Sequence, residues 1–261
     1  MTRLTVILLT ITMLAGCKSS PPPSPNPEPY TSAQDLITAM HDRYAGRWYR
    51  TITFVQTTTF TRPDGKQDTS IWYEAGMFPS RLRVDFDPLT AGNGFLQRSD
   101  TVYVMQRGNV ARQIPDTNPL LLLGFDVYFL QPAATVAWLR KLGFDTSKIR
   151  RDVWLQRDVY VVGASSASDM RSRQFWVDRQ NLVFVRLIEP ARDTTHVQDV
   201  RFLNYVKNGA AWVSPLVEAY RDGKLIQKEE YLHIRVDVAL DSALFDPARW
   251  MSVAHWYQTR Q

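Results

Sequence analysis

The chain has a single cysteine, Cys17, among its 261 residues. An internal disulfide is therefore impossible, and the fold must hold by packing. No apolar run reaches the roughly 20 residues that a membrane-crossing helix needs. Lysines and arginines form no long block; they alternate with aspartates and glutamates, which gives no nucleic-acid surface. His41, His196, His233 and His255 lack the close His or Cys/His spacing of a metal site and read as isolated surface side chains. Gly163-Ala164-Ser165-Ser166-Ala167 lacks the second glycine of a nucleophile elbow and reads as a loop. No glycine-rich phosphate loop occurs, and nothing repeats at the period of about 20–50 residues that marks solenoids and propellers. The acidic residues mostly sit opposite apolar ones on strand-like stretches, where solvation accounts for them. The sequence therefore carries no constellation for catalysis, no metal site and no small-molecule cofactor.

What is present begins at the N-terminus. Arg3 precedes a short apolar run, residues 4–13, which suits the core of a secretory signal and not a bilayer span. Leu14-Ala15-Gly16-Cys17 then resembles a lipobox. Small residues precede the bond to be cut, and a thiol follows to carry the diacylglycerol thioether. Residues 1–16 are thus expected to be a lipoprotein signal peptide, with Cys17 as the site of covalent lipid attachment. An ordinary signal followed by a chance cysteine is the competing reading. Two or three acyl chains hold a protein to a membrane far better than one, since each buried methylene adds about 0.8 kcal/mol. Lys18 follows the cysteine. An aspartate there would resemble an inner-membrane retention mark, so the expected location is the outer membrane, facing the periplasm.

Residues 17–30 continue as Pro-Pro-Pro and alternating prolines. That density blocks helix and ladder hydrogen bonds and favours an extended polyproline spacer. The remaining roughly 230 residues fall within the range of one large β-rich domain, assigned to residues 31–261. With 12% aromatic residues and a formal charge of +5, lowered by one when Arg3 leaves with the signal, the domain is core-rich and mildly basic. That charge is compatible with an anionic lipid surface nearby.

Ser32 can cap a helix from Ala33, along which Leu36, Ile37, Met40 and Tyr44 form one apolar stripe that Gly46 ends. From Arg47 the period changes to two. Threonines interleave with Ile52 and Phe54, Pro63-Asp64-Gly65 makes a turn, and a second strand runs near residues 69–77. In a third strand Leu82, Val84 and Phe86 alternate with Arg81, Arg83, Asp85 and Asp87, apolar on one face and charged on the other. A hairpin around Arg107-Gly108 follows. Residues 118–144 interrupt the strands with a Leu-rich segment after Pro119 and a short helix over residues 133–142. Strands resume at Val153 and continue through long segments near 197–206, 211–221 and 224–238, joined at Asn208-Gly209 and Asp222-Gly223, both strong hairpin signals. The sum is an α+β fold: a large curved antiparallel sheet with apolar-striped helices on its concave side.

Along residues 33–245, in order, the chain resembles the LolA/LolB-like outer-membrane lipoprotein-sorting superfamily. The resemblance is carried by Phe54-Val55-Gln56, by Gly76-Met77-Phe78-Pro79-Ser80-Arg81-Leu82-Arg83, and by Ser99-Asp100-Thr101-Val102-Tyr103-Val104, in which a threonine replaces the usual basic residue. It continues in Asn118-Pro119-Leu120-Leu121-Leu122-Leu123, Phe175-Trp176-Val177-Asp178, Asn204-Tyr205, and Leu240-Asp241 with Leu244-Phe245. It implies an incomplete β-barrel with helices plugging the concave face over an apolar cavity for acyl chains. Trp72, Leu82, Val84, Phe86, Leu121, Leu122 and Trp138 are the expected lining; any one of them alone reads more readily as ordinary core, and only the resemblance makes the group a cavity. The hydrophobic protruding loop of LolB-type receptors and the polar gating residues of LolA-type carriers find no match, so the implied role is lipid binding in the envelope, wider than orthodox lipoprotein sorting.

The expected function is therefore a membrane-anchored, non-enzymatic protein that binds acyl chains of lipids or lipoproteins. The alternative from another class is a structural or sensory envelope lipoprotein that binds a protein partner with the same half-barrel. That reading calls for a filled interior and an exposed apolar patch on the outer sheet face. An envelope hydrolase would need His, Ser and Asp side chains converging in space.

Overall fold

A computed structural model describes residues 30–191 and 193–257. The expected signal peptide, Cys17 and nearly all of the proline-rich linker lie outside the described residues. Helix α1 (Ala33–Tyr44) starts where the sequence places it, with the Ser32 side chain accepting a hydrogen bond from the Asp35 amide at 3.1 Å. Its stripe of Leu36, Ile37, Met40 and Tyr44 is buried.

Strands β1 (Thr51–Thr61), β2 (Gln67–Met77), β3 (Arg81–Phe86), β4 (Gly94–Arg98), β5 (Thr101–Gln106) and β6 (Asn109–Pro115) then form an antiparallel meander. Helix α2 (Pro119–Gly124), a 3₁₀ turn at Asp126–Tyr128 and helix α3 (Pro132–Lys141) make the crossover. The chain returns through β7 (Ile149–Trp154), β8 (Arg157–Val162), β9 (Gln174–Asp178), β10 (Phe184–Pro190), β11 (Val197–Leu203), β12 (Val206–Asn208), β13 (Ala211–Val213), β14 (Leu216–Arg221) and β15 (Lys224–Val236).

The main sheet has 13 strands in the order β6-β5-β4-β3-β2-β1-β15-β14-β11-β10-β9-β8-β7. The first meander grows outward from β1 to the edge at β6. The crossover carries the chain to the opposite edge at β7, and the second meander returns until β15 pairs with β1. Because β6 and β7 do not meet, the sheet is an incomplete barrel, and the helices lie within its curve. Among the described residues no helix is long and apolar enough to cross a membrane.

The sequence places a long hairpin at Asn208-Gly209. In the structure its strands leave the main sheet and form a separate two-stranded ribbon, β12–β13. The Ser214 hydroxyl stands at the break, within hydrogen-bond reach of the Leu203 and Leu216 carbonyls. β11 then pairs directly with β14.

Side chains alternate across a strand, so register assigns faces. Trp72 lies opposite Phe86, Glu74 opposite Val84 and Gly76 opposite Leu82, and these residues share the concave face with Phe54. Helices and concave face together bury one large apolar core that reaches from Leu36 to Leu139, Phe175 and Phe184. The convex face has a second core. There Val55, Ala75, Leu96 and Met105 are covered by Leu244, Phe245, Trp250, Val253 and Trp256 from the segment after β15.

That cover overturns two expectations. Arg83 and Asp85 are not a solvated charged face; they expose 2% and 4% of their surface beneath the C-terminal segment. His255 is not a surface histidine either. It is buried, with Nε2 3.1 Å from an Asp85 carboxylate oxygen.

Candidate functional site

Between α2 and the concave face the side chains leave a cavity of about 400 Å³, within the usual range for small-molecule sites. Its floor is built from β1, β2 and β3 on one side and β11, β14 and β15 on the other. Ile52 and Phe54 meet Trp72 and Leu82 there, and Val200, Phe202, Val217 and Ala219 come from the returning strands. Leu120, Leu121 and Phe125 form the roof. The roof is fixed at its start by Asn118, whose side-chain oxygen accepts from the Leu120 and Leu121 amides at 2.9 and 3.4 Å, filling the N-cap position before Pro119. It is fixed at its end by ring packing: Phe125 stacks on Phe78 with centroids 4.6 Å apart. Gly76 makes room for this stack. A Cβ there would stand 2.7 Å from Phe78 Cζ and 3.0 Å from Ile52 Cγ2.

Trp72, Leu82 and Leu121, three of the residues expected from the sequence, line this cavity. Val84 shares their face but is fully buried in the sheet core between them. Phe86 packs beside Trp72, 4.8 Å between centroids, and borders a different depression near the β4–β5 end. Leu122 and Trp138 line a smaller space of about 300 Å³ with Ser80, Asp126 and Leu130. Asn118 and Leu121 border both spaces, so α2 is the wall between them. Cys17 lies outside the described residues.

The sequence did not single out the polar members of the cavity. Glu74 on β2 faces inward and exposes 7% of its surface. Burial pushes its carboxyl well above the ordinary glutamate range, and the like charge of Glu229 adds to the effect. Glu229 on β15 is raised too, by burial, but is partly relieved by two donors. Gln227 Nε2 donates to one of its oxygens at 2.6 Å and the Tyr231 hydroxyl to the other at 3.0 Å. The Tyr231 ring in turn stacks on Phe54 at 4.1 Å. The site is thus an apolar vault with two carboxyls set into its wall. A larger depression, about 840 Å³, lies beside Tyr30, where the described chain begins. Its walls mix the charged Arg43, Arg157, Asp158, Asp178 and Arg179 with Leu182, Tyr205 and Trp212.

Hydrogen bonds from Ser80 tie the roof to the β2–β3 turn. Its amide and hydroxyl donate to the two oxygens of Asp126, at 2.8 and 3.1 Å. Burial nevertheless raises the Asp126 carboxyl to about 6, with those hydrogen bonds opposing the shift.

No known family's sequence profile matches the chain, and no curated protein matches it in sequence. Solved structures do match in fold. A DUF1329 family protein from Desulfovibrio piger superposes with a TM-score of 0.53 at 14% identity, over 82% of this chain and 95% of its own. A domain named for outer membrane lipoprotein sorting, from Vibrio parahaemolyticus, gives 0.55 at 12% identity over 83% and 97%. A LolA superfamily protein from Nitrosomonas europaea gives 0.52 at 11% identity over 83% and 98%. The incomplete barrel with helices in its curve is the fold of these proteins.

Proposed function

We propose that this chain is an envelope lipoprotein that holds the acyl chains of lipids or lipoproteins in the cavity under α2, tethered by lipid at Cys17 to the periplasmic face of the outer membrane. One observation carries the reading: the concave face is not filled by the protein's own side chains. Acyl chains need dispersion contact and removal from water more than polar anchors, and Phe54, Trp72, Leu82, Leu121, Phe125 and Phe202 supply such contact around that volume. Burial at about 25 cal/mol per Å² of apolar area gives useful affinity without a catalytic group. The fold it shares with proteins named for lipoprotein sorting supports the same role, as does the lipobox-like N-terminus. The protein-docking alternative called for a filled interior, and the cavity weighs against it.

The test is native mass spectrometry of the full-length protein extracted from membranes, read for non-covalent lipid beyond the covalent modification at Cys17. One or more co-purifying acyl lipids, displaced by an added fluorescent fatty alcohol, is the expected result. A protein that carries no lipid and takes up no alkyl probe removes the proposal. Replacing Cys17 by serine should release the protein from the membrane fraction; retention there would remove the tether.

A further inference from the structure

The two carboxyls in the vault have no evident use if the guest is hydrocarbon alone. Glu74 stands in the middle of β2, opposite Phe54 on one side and Val84 on the other. Its side chain is largely buried and borders the cavity, and among the described residues no donor is paired with its carboxyl. A carboxyl left this way is open to a donor that enters the cavity. Glu229 differs: both of its oxygens already accept hydrogen bonds, from Gln227 and Tyr231, an arrangement that suits a carboxylate.

The groups facing Glu74 come from every wall. Glu229 and Tyr231 project from β15, Tyr220 lines the wall from β14, and Asn118 caps the roof helix. None of the lining residues is basic. Arg83, the nearest arginine in register, sits on the other face of the sheet and is already engaged with Asp85. The vault therefore holds two acidic groups with no basic partner in its lining, a setting that resists their ionisation until a cation enters, and Phe54, Trp72 and Tyr231 line it beside them.

We infer that the cavity selects amphiphiles with a cationic amine head, the ammonium seated between Glu74 and Glu229 and the alkyl chain running beneath Leu121 and Phe125. The inference rests on the proposed binding of acyl chains and adds the class of head group. A primary alkyl amine is protonated at neutral pH, so one guest supplies the missing donors for Glu74 and balances charge against Glu229. A fatty acid brings a third acidic group into the same volume, and a neutral alcohol brings no charge.

The experiment is isothermal titration of the full-length protein in phosphatidylcholine nanodiscs, with empty discs as the blank for membrane partition. Three probes share one tail: dodecylamine, dodecanol and dodecanoate. The amine is expected to bind about tenfold more tightly than the alcohol, the size of one modest charge interaction in a shielded site, with dodecanoate weakest. In wild type the amine-to-alcohol ratio should grow as pH rises, because loss of a carboxyl proton in the vault strengthens the attraction. Glu74→Gln and Glu229→Gln should each pull the ratio toward one. Equal affinities for the three heads, a tighter dodecanoate, or a ratio left unchanged in both glutamine variants would overturn the head-group inference and leave the acyl cavity standing. Failure of all three to bind above the blank would remove the cavity reading and this one with it.

Discussion

The guanidinium carbon of Arg83 lies 3.8 Å from the centre of the Trp250 ring, on the face of the sheet turned away from the cavity. Its nitrogens are all engaged. Nε and Nη2 grip Asp85 at 2.8 and 2.9 Å, and Nη1 and Nη2 donate to the carbonyls of Leu244 and Trp250 at 3.1 and 2.9 Å. One side chain from β3 thus pins a segment more than 160 positions later. Arg83→Met keeps much of the stem but leaves the Asp85 carboxylate with His255 alone in a dry site, a loss approaching that of a broken buried pair, about 3–5 kcal/mol. Urea unfolding should shift by that amount, and amide exchange should rise selectively in residues 240–257. Adding Asp85→Asn should recover part of the loss, because the stranded charge goes with it.

The same cluster makes the C-terminal segment sensitive to acid. Burial raises the Asp85 carboxyl, but hydrogen bonds from His255 and Arg83 outweigh it and hold the group below the ordinary aspartate value. A carboxyl lowered by folding stabilises the native state fully above its unfolded value, about 3.9. That contribution fades as pH falls through the lower folded value. The C-terminal segment should therefore loosen only below about pH 4, seen as a change in tryptophan emission from Trp250. In Asp85→Asn this acid transition should be absent, while the variant starts from lower stability at neutral pH.

Asp126 gives the opposite slope. Its carboxyl titrates near 6 in the folded protein because burial outweighs the two hydrogen bonds from Ser80. Folding therefore favours the protonated form, and this contribution is complete below the unfolded value of about 3.9. It is lost as pH rises through about 6, a total of about 3 kcal/mol for a shift of this size. Chemical denaturation at a series of pH values should show wild type losing stability across that window. Asp126→Asn should flatten the profile. An unchanged slope in the variant would assign the titration to another group.

How far these sites could be read from sequence depends on which physical signal each one leaves. Period-two alternation put Leu82, Val84 and Phe86 on one face of β3, and the Ser32 cap and the stripe after it located α1 within a residue. Alternation does not reveal what covers a face. Arg83 and Asp85 looked solvated because the residues that bury them, Trp250 and His255, are far along a segment with no strand or helix period. The inward Glu229 was equally hidden. In β15 Gln227 and Glu229 point into the vault and Lys228 and Glu230 flank them, so polar residues occupy both faces and no hydrophobic contrast marks the inner one. Within α2 the miss was angular: neighbouring leucines diverge by about 100°, which sends Leu121 to the cavity and Leu122 to the smaller space behind it.

Ala219 tests the vault itself. It lies on β14 between Val200 of β11 and Gln227 of β15 in register, and its methyl group faces the cavity. Ala219→Leu adds three carbons on that side. In a solid interior such overpacking costs about 1–3 kcal/mol, because neighbours must leave their rotamers. In an unfilled apolar space the added atoms gain contacts that were missing, and stability should hold or rise by about 1 kcal/mol. The two readouts are coupled in opposite directions only if the void exists: thermal midpoint unchanged or higher, alkyl-probe affinity lower. A variant that loses both together has a damaged core, and the space assigned to a guest would then already be occupied by protein.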